Sequence, residues 1–140
     1  MSTRTYARVL VFQFLFRLDF KKTKNASELE EFISDKGLSE KDRDFFYNLV
    51  GAVIDNIKKI DEMIKKHIEH WNLERLVITD KTVLRLGIGE MFFSEINTPL
   101  KVVINECIEI AKRFGTEDSG KFVNGVLDKA AEELKKRGKN

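Results

Sequence analysis

The sequence predicts an all-α fold, a compact single domain over residues 1–140 built as a bundle of about seven helices. Three observations carry that expectation. The length suits one domain with a sizeable core. A composition of 42% hydrophobic and 34% charged residues is that of a globular chain rather than a disordered one. There is one proline, turn clusters are few, and apolar residues recur at three- and four-residue spacing along most of the chain. Eleven Phe, two Tyr and one Trp supply large apolar area for a core.

Residues 3–20 read as the first helix, apolar on nearly every side from Tyr6 to Phe20 and therefore placed centrally. Arg8, Gln13 and Arg17 interrupt it, which excludes a membrane helix. Asn25 to Lys36 reads as a short, acidic second helix, with Ser27 and Glu30 at capping-box spacing and Gly37 as its stop. Ser39, followed by Asp42, starts a third helix. Its apolar repeat from Phe46 to Ile68 is too long for one globular helix, so a break is expected between Asn56 and Asp61. Trp71 to Leu76 forms a connector whose Trp71, Leu73 and Leu76 plug the core. Thr79 or Asp80 opens the fifth helix, in which Gly87 and Gly89 permit close packing or lie beneath a partner. Asn97-Thr98-Pro99 starts the sixth, with proline in its favoured first turn. The seventh begins after Gly115 and ends in a basic tail.

Several functions are excluded by what the motifs lack. Gly115, four residues, Gly120 and Lys121 imitate a phosphate loop, but Phe122 stands where Ser or Thr must hold Mg²⁺. Glu117 and Asp118 would face the triphosphate, and the preceding stretch has helical rather than strand periodicity. Gly87-Ile88-Gly89 lacks the third glycine of a dinucleotide fingerprint. His67 and His70 do not have the spacing of a zinc helix, and no third ligand is near. Glu106 and Glu109 are unaccompanied by a nucleophile or a histidine, so they read as a polar face. No catalytic, metal or cofactor site is expected. The single Cys107 cannot form an internal disulfide, no signal peptide or apolar span of about 18 residues occurs, and a reducing cytoplasm fits.

Two features point to a polar polymer instead. The net charge is only +2, yet residues 1–25 hold Arg4, Arg8, Arg17, Lys21, Lys22 and Lys24 against Asp19 alone. A basic end of this kind is the electrostatic footprint of nucleic-acid contact. The turn from Gly115 to Phe122 gathers free N–H groups, acids, a lysine and an aromatic. Thr116, Asp118 and Ser119 are each able to cap the helix that follows.

The run from Phe114 to Ala131, FGTEDSGKFVNGVLDKAA, resembles the C-terminal signature of the bacterial transcription antitermination factor family NusB. Trp71-Asn-Leu-Glu-Arg-Leu76, Asp80 to Leu86 and Glu90 resemble its middle signature. With Pro99 to Phe114, these runs cover about half the chain in the family's order. The resemblance implies binding of single-stranded boxA-type nascent RNA together with NusE, a small-subunit ribosomal protein. Other Nus factors and RNA polymerase join indirectly, supporting ribosomal RNA operon transcription. It assigns RNA contact to Arg4, Arg8, Gln13 and Phe16 on the first helix and to Asp118, Lys121 and Phe122 in the turn. It assigns partner contact to Asp80, Arg85, Glu90 and Lys101. The arginine run at the N-terminus is sparser than in many members, which implies lower intrinsic RNA affinity. The alternatives are a NusB-like domain of the kind found in ribosomal RNA cytosine methyltransferases, here without room for a cofactor-binding domain, and a scaffold that binds protein only.

Overall fold

The computed structural model describes residues 2–19, 26–68 and 72–138, and seven α-helices account for most of them. They are α1 (Thr3–Asp19), α2 (Ala26–Ile33), α3 (Glu40–Asp55), α4 (Ile57–His67), α5 (Ile78–Ile88), α6 (Leu100–Phe114) and α7 (Ser119–Lys136). The expectations for Lys21, Lys22, Lys24, His70 and Trp71 lie outside the described residues. No described helix is long and apolar enough to cross a membrane.

The first helix is central, as its all-round apolar pattern requires. Ala7, Val9, Leu10, Val11, Phe12, Phe14 and Leu15 are all buried, and Gln13 and Arg17 mark its open edge. Phe14 meets Phe46 and Phe32 edge-on, and Phe32 stacks on Phe46 with ring centres 6.1 Å apart, joining α1, α2 and α3. Ser39 caps α3, its hydroxyl accepting the Asp42 backbone N–H at 3.2 Å. The expected break falls on Asn56, whose side chain donates back to the Ala52 carbonyl at 2.8 Å.

Three local expectations change. The second helix is shorter than 25–36 and begins at Ala26, so Ser27 lies inside its first turn rather than at the cap. The chain then turns through Gly37 at φ +72°, a conformation that favours glycine. The fifth helix begins at Ile78, so neither Thr79 nor Asp80 caps it. At Gly115 the backbone is extended (φ −98°, ψ −156°), and glycine is needed there for space. A Cβ would lie 2.4 Å from the Ser119 hydroxyl and 2.7 Å from the Ala111 carbonyl.

The fifth helix is the strut that the others grip. A Cβ on Gly87 would lie 2.9 Å from Leu127 and 3.1 Å from the Cys107 sulfur, and one on Gly89 would lie 2.5 Å from Val53. The two glycines therefore admit α6 and α7 on one side and α3 on the other. Past Ile88 the helix widens into a π-helical segment, Gly89–Phe93, closed by the Ser94 hydroxyl donating to the Glu90 carbonyl at 2.9 Å. Glu90, at the start of this segment, lies inward, with only 1% of the residue exposed.

Candidate nucleic-acid interface

The turn between α6 and α7 is stitched by Thr116 and Ser119. The Thr116 N–H donates to the Ser119 hydroxyl at 2.8 Å, and the Ser119 N–H donates to the Thr116 carbonyl at 3.1 Å. Asp118 occupies the cap position, but its carboxylate makes no capping hydrogen bond. Its backbone carbonyl accepts the Phe122 N–H instead. The stitching thus leaves the Asp118 side chain exposed, with Lys121 exposed and Phe122 half-buried one turn on. Phe122 packs its inner edge against the core.

Phe122, Asp118 and Thr116 share a cavity of about 280 Å³ with Arg75, Leu76, Val77 and Asp80. The structure therefore joins two sets that the resemblance kept apart: Asp80, assigned to a protein partner, lies with Asp118 and Phe122, assigned to RNA. Asp80 is 8% exposed, and one of its carboxylate oxygens has no hydrogen-bond partner.

The first helix approaches the turn along α6. Thr5 and Arg8 hydrogen-bond Glu106, while Phe12 stacks on Phe114 with ring centres 5.1 Å apart, so α1 and α6 run in the same direction. Phe16 continues the ladder, 6.0 Å from Phe12, and Arg113 lies 4.9 Å above the Phe114 ring. Phe12 thus borders the segment that leads into the turn, with Phe16 packed beside it and Gln13 exposed on the same helix. Arg4 lies at the far end, about 18 Å from Phe16 at 1.5 Å per helical residue. It is held beside Asp42 at 3.3 Å and over the Phe45 ring.

Arg8 departs from the expectation of a surface contact. It is 2% exposed and makes a two-pronged pair with Glu90, at 2.8 and 2.6 Å, plus a third bond to Glu106 at 3.2 Å. Burial pulls its pKa down, but the hydrogen bonds and charge of Glu90, then the charge of Glu106, outweigh this and hold it above its ordinary value. Burial, with Glu90 adding to it, pushes the neighbouring Cys107 thiol well up, so that thiol is inert. Arg8 and Glu90 satisfy one another inside the fold, with almost none of either side chain exposed. Periodicity could not show this, because an arginine on an apolar helix looks the same whether it emerges or meets a buried acid.

Arg85 is likewise occupied. It pairs with Asp61 through two bonds of 2.9 Å and with Asp19 at 2.9 Å, tying α5 to α4 and α1, and it stays charged for the same reason as Arg8. Lys101 is exposed, in a groove between α6 and α7 near Asp128 and Glu132, and beside the exposed Val102. Sequence reasoning missed Arg75, Arg113 and Phe114 as members of this surface. Arg113 and Phe114 read as a helix end and a core residue, and Arg75 had only its place in a motif. Among the described residues no group of three His, Cys, Asp or Glu is placed to hold a metal ion.

The chain matches the model of the NusB family over residues 5–132. It is 38% identical over 135 residues to the transcription antitermination protein NusB of a Nitratiruptor species, covering 96% of each chain. Among solved structures it is similar to T. maritima NusB, with TM-score 0.86, 39% identity, and coverage of 95% of this chain and 93% of that one. It is also similar to the protein in a crystal structure of antitermination factors NusB and NusE with double-stranded RNA. There the TM-score is 0.82 at 28% identity, over 95% of this chain and 98% of that one. By sequence and by fold, the chain belongs to the NusB family.

Proposed function

We propose that this chain is a transcription antitermination factor that binds single-stranded boxA-type nascent RNA together with NusE and supports ribosomal RNA operon transcription. It is not an enzyme, it works in the cytoplasm, and it reaches other Nus factors and RNA polymerase through the assembled complex. The observation that carries this reading is the turn, where the Asp118 carboxylate, which makes no capping bond, and the Phe122 ring border one cavity and Lys121 stands exposed in the same turn of helix. Unpaired bases stack on such rings and offer hydrogen-bonding edges, which a duplex hides. That chemistry favours a single strand, although the related NusB–NusE crystal holds double-stranded RNA.

The RNA path runs from Gln13 and Phe16, past Arg113, to Lys121, Asp118 and Phe122. Arg4, with 41% of its side chain exposed, is an outlying phosphate contact, and Arg8 holds the first helix in place. Lys101 and Val102 mark the partner-facing side, whereas Arg85 is held on the α4 and α1 side of α5. The methyltransferase-domain reading is not favoured, since the similar proteins are named as antitermination factors over nearly their whole length.

The test is a salt series. Labelled boxA-type RNA is titrated with the chain, alone and with NusE. NusE is expected to tighten binding, because a composite surface shares the ordering cost. Lys121→Ala is expected to flatten the plot of log affinity against log salt by about 0.7, one single-strand phosphate. Absence of saturable RNA binding with NusE present overturns the reading.

A further inference from the structure

A cavity of about 270 Å³ opens between the second half of α3 and the π-helical segment that follows α5. Its lining includes two carboxylates, Asp55 and Glu95, and no lysine or arginine. Glu95 is exposed and has no ion pair among the described residues. Asp55 adds its charge but has an interaction of its own, so recognition here depends on Glu95. The Ser94 hydroxyl fixes the loop that carries Glu95, donating to the Glu90 carbonyl at 2.9 Å and accepting the Ile96 N–H at 3.2 Å. Both asparagines in the lining turn an N–H back on their own helix. Asn48 donates to the Asp44 carbonyl at 3.0 Å, and Asn56 to the Ala52 carbonyl at 2.8 Å. The wall is therefore rich in acceptors and short of donors. Tyr47 adds an exposed ring, steadied edge-on against Phe46 at 5.8 Å. Gly51, in the same lining, points independently to an occupant. Glycine inside a helix is less stable than alanine, and no neighbour requires it here. A Cβ would meet only the Asp55 carboxylate, 3.9 Å away. The space beside Gly51 is open, and nothing in the fold fills it.

We propose that this cavity is a docking site for an arginine side chain on a basic segment of a protein partner. A guanidinium is always charged and carries its N–H donors in one plane. It can bond Glu95 while its face stacks on Tyr47. A lysine ammonium matches the charge but not the plane. RNA does not suit the site, because its phosphates are anions and acceptors, as the lining is. A bare metal ion is disfavoured, since among the described residues no group of three ligands converges. The site is remote from the turn. Asp80, at the start of α5, lines the cavity there, whereas Phe93 ends the π-helical segment about 20 Å away, at 1.5 Å per residue. A basic partner and an RNA can therefore be held at the same time, and the site does not depend on the RNA reading.

The experiment follows the amide shifts of the full chain as it is titrated with a short, end-blocked glycine peptide carrying arginines, and with its lysine counterpart, at one low salt concentration. The arginine peptide is expected to shift Tyr47, Gly51 and Glu95, and to bind severalfold tighter than the lysine peptide. Glu95→Gln and Tyr47→Ala are each expected to weaken it about two- to fivefold, the size of one exposed ion pair or cation–π contact. Gly51→Ala is expected to raise the melting temperature by a few degrees while weakening the peptide, a combination that a purely structural glycine would not give. Equal affinity for the two peptides, parental affinity in Glu95→Gln and Gly51→Ala, or shifts confined to Glu30 and Glu31 of α2 overturns the proposal. So does a dimer in sedimentation that Glu95→Gln disperses, since the occupant is then a second copy of this chain. The arginine peptide is expected to stay bound when boxA-type RNA and NusE are added. Its release would place it on the RNA surface and overturn the proposal. If the chain binds no RNA but keeps the arginine preference and its loss in Glu95→Gln, the RNA reading fails and the docking site stands.

Discussion

Arg8→Ala is expected to destabilise the fold by about 3–5 kcal/mol, because it leaves the Glu90 carboxylate buried without its counter-charge. Glu90 has no exposed side-chain surface, and Arg8 supplies two of its hydrogen bonds. Glu106 keeps Thr5, whose hydroxyl donates at 2.6 Å, so the loss falls on Glu90. The lost guanidinium also leaves the Phe45 ring it covers at 4.9 Å. Urea unfolding should show a lower midpoint at an unchanged slope, the mark of a stability change alone. The double variant Arg8→Met, Glu90→Met should recover most of the loss, since apolar replacements of buried pairs are often nearly neutral. At a temperature where Arg8→Ala remains folded, the salt dependence of RNA binding should match the parent. A flattened salt slope with unchanged stability would instead put Arg8 on the RNA.

The second large effect is expected at Phe122. Loss of a stacking ring weakens single-strand binding by about 1–3 kcal/mol, roughly 5- to 150-fold. Phe122→Leu is the variant of choice, because its side chain still packs inward on the core while losing the aromatic face. Its melting temperature should stay close to the parent's as its RNA affinity falls. Asp118→Asn separates reading from capping. The Asp118 carboxylate makes no capping bond, so the melting temperature should hold while affinity or sequence preference shifts severalfold. If both variants titrate cognate and scrambled RNA as the parent does, with NusE present, the turn does not read RNA.

The fold was legible because its signals are local and repeated. The three-four spacing, the Ser39 cap and the overlong apolar run that breaks at Asn56 each depend on neighbours in sequence. Glycines 87 and 89 stood out inside a helical pattern and proved to be points of close approach. The site was legible only in part. The turn lies in one continuous stretch, so its acid, lysine and aromatic could be seen together. The fate of Arg8 is decided by Glu90 and Glu106, more than eighty residues away, and charge counting at the N-terminus cannot see them. Asp80 misled in a related way. A helix starting at Ile78 rather than at Asp80 moves its carboxylate from a cap to a cavity wall, and two residues of boundary error change its meaning.

Amide chemical-shift mapping of the full chain, titrated with single-stranded boxA-type RNA and NusE, tests the central claim most directly. The account predicts RNA-dependent shifts in residues 113–122, at Gln13 and Phe16, and at Arg75 and Asp80, with little change at Arg8 and Glu90. Shifts confined to the Arg4 end of the first helix, or to the groove beside Lys101, would contradict it.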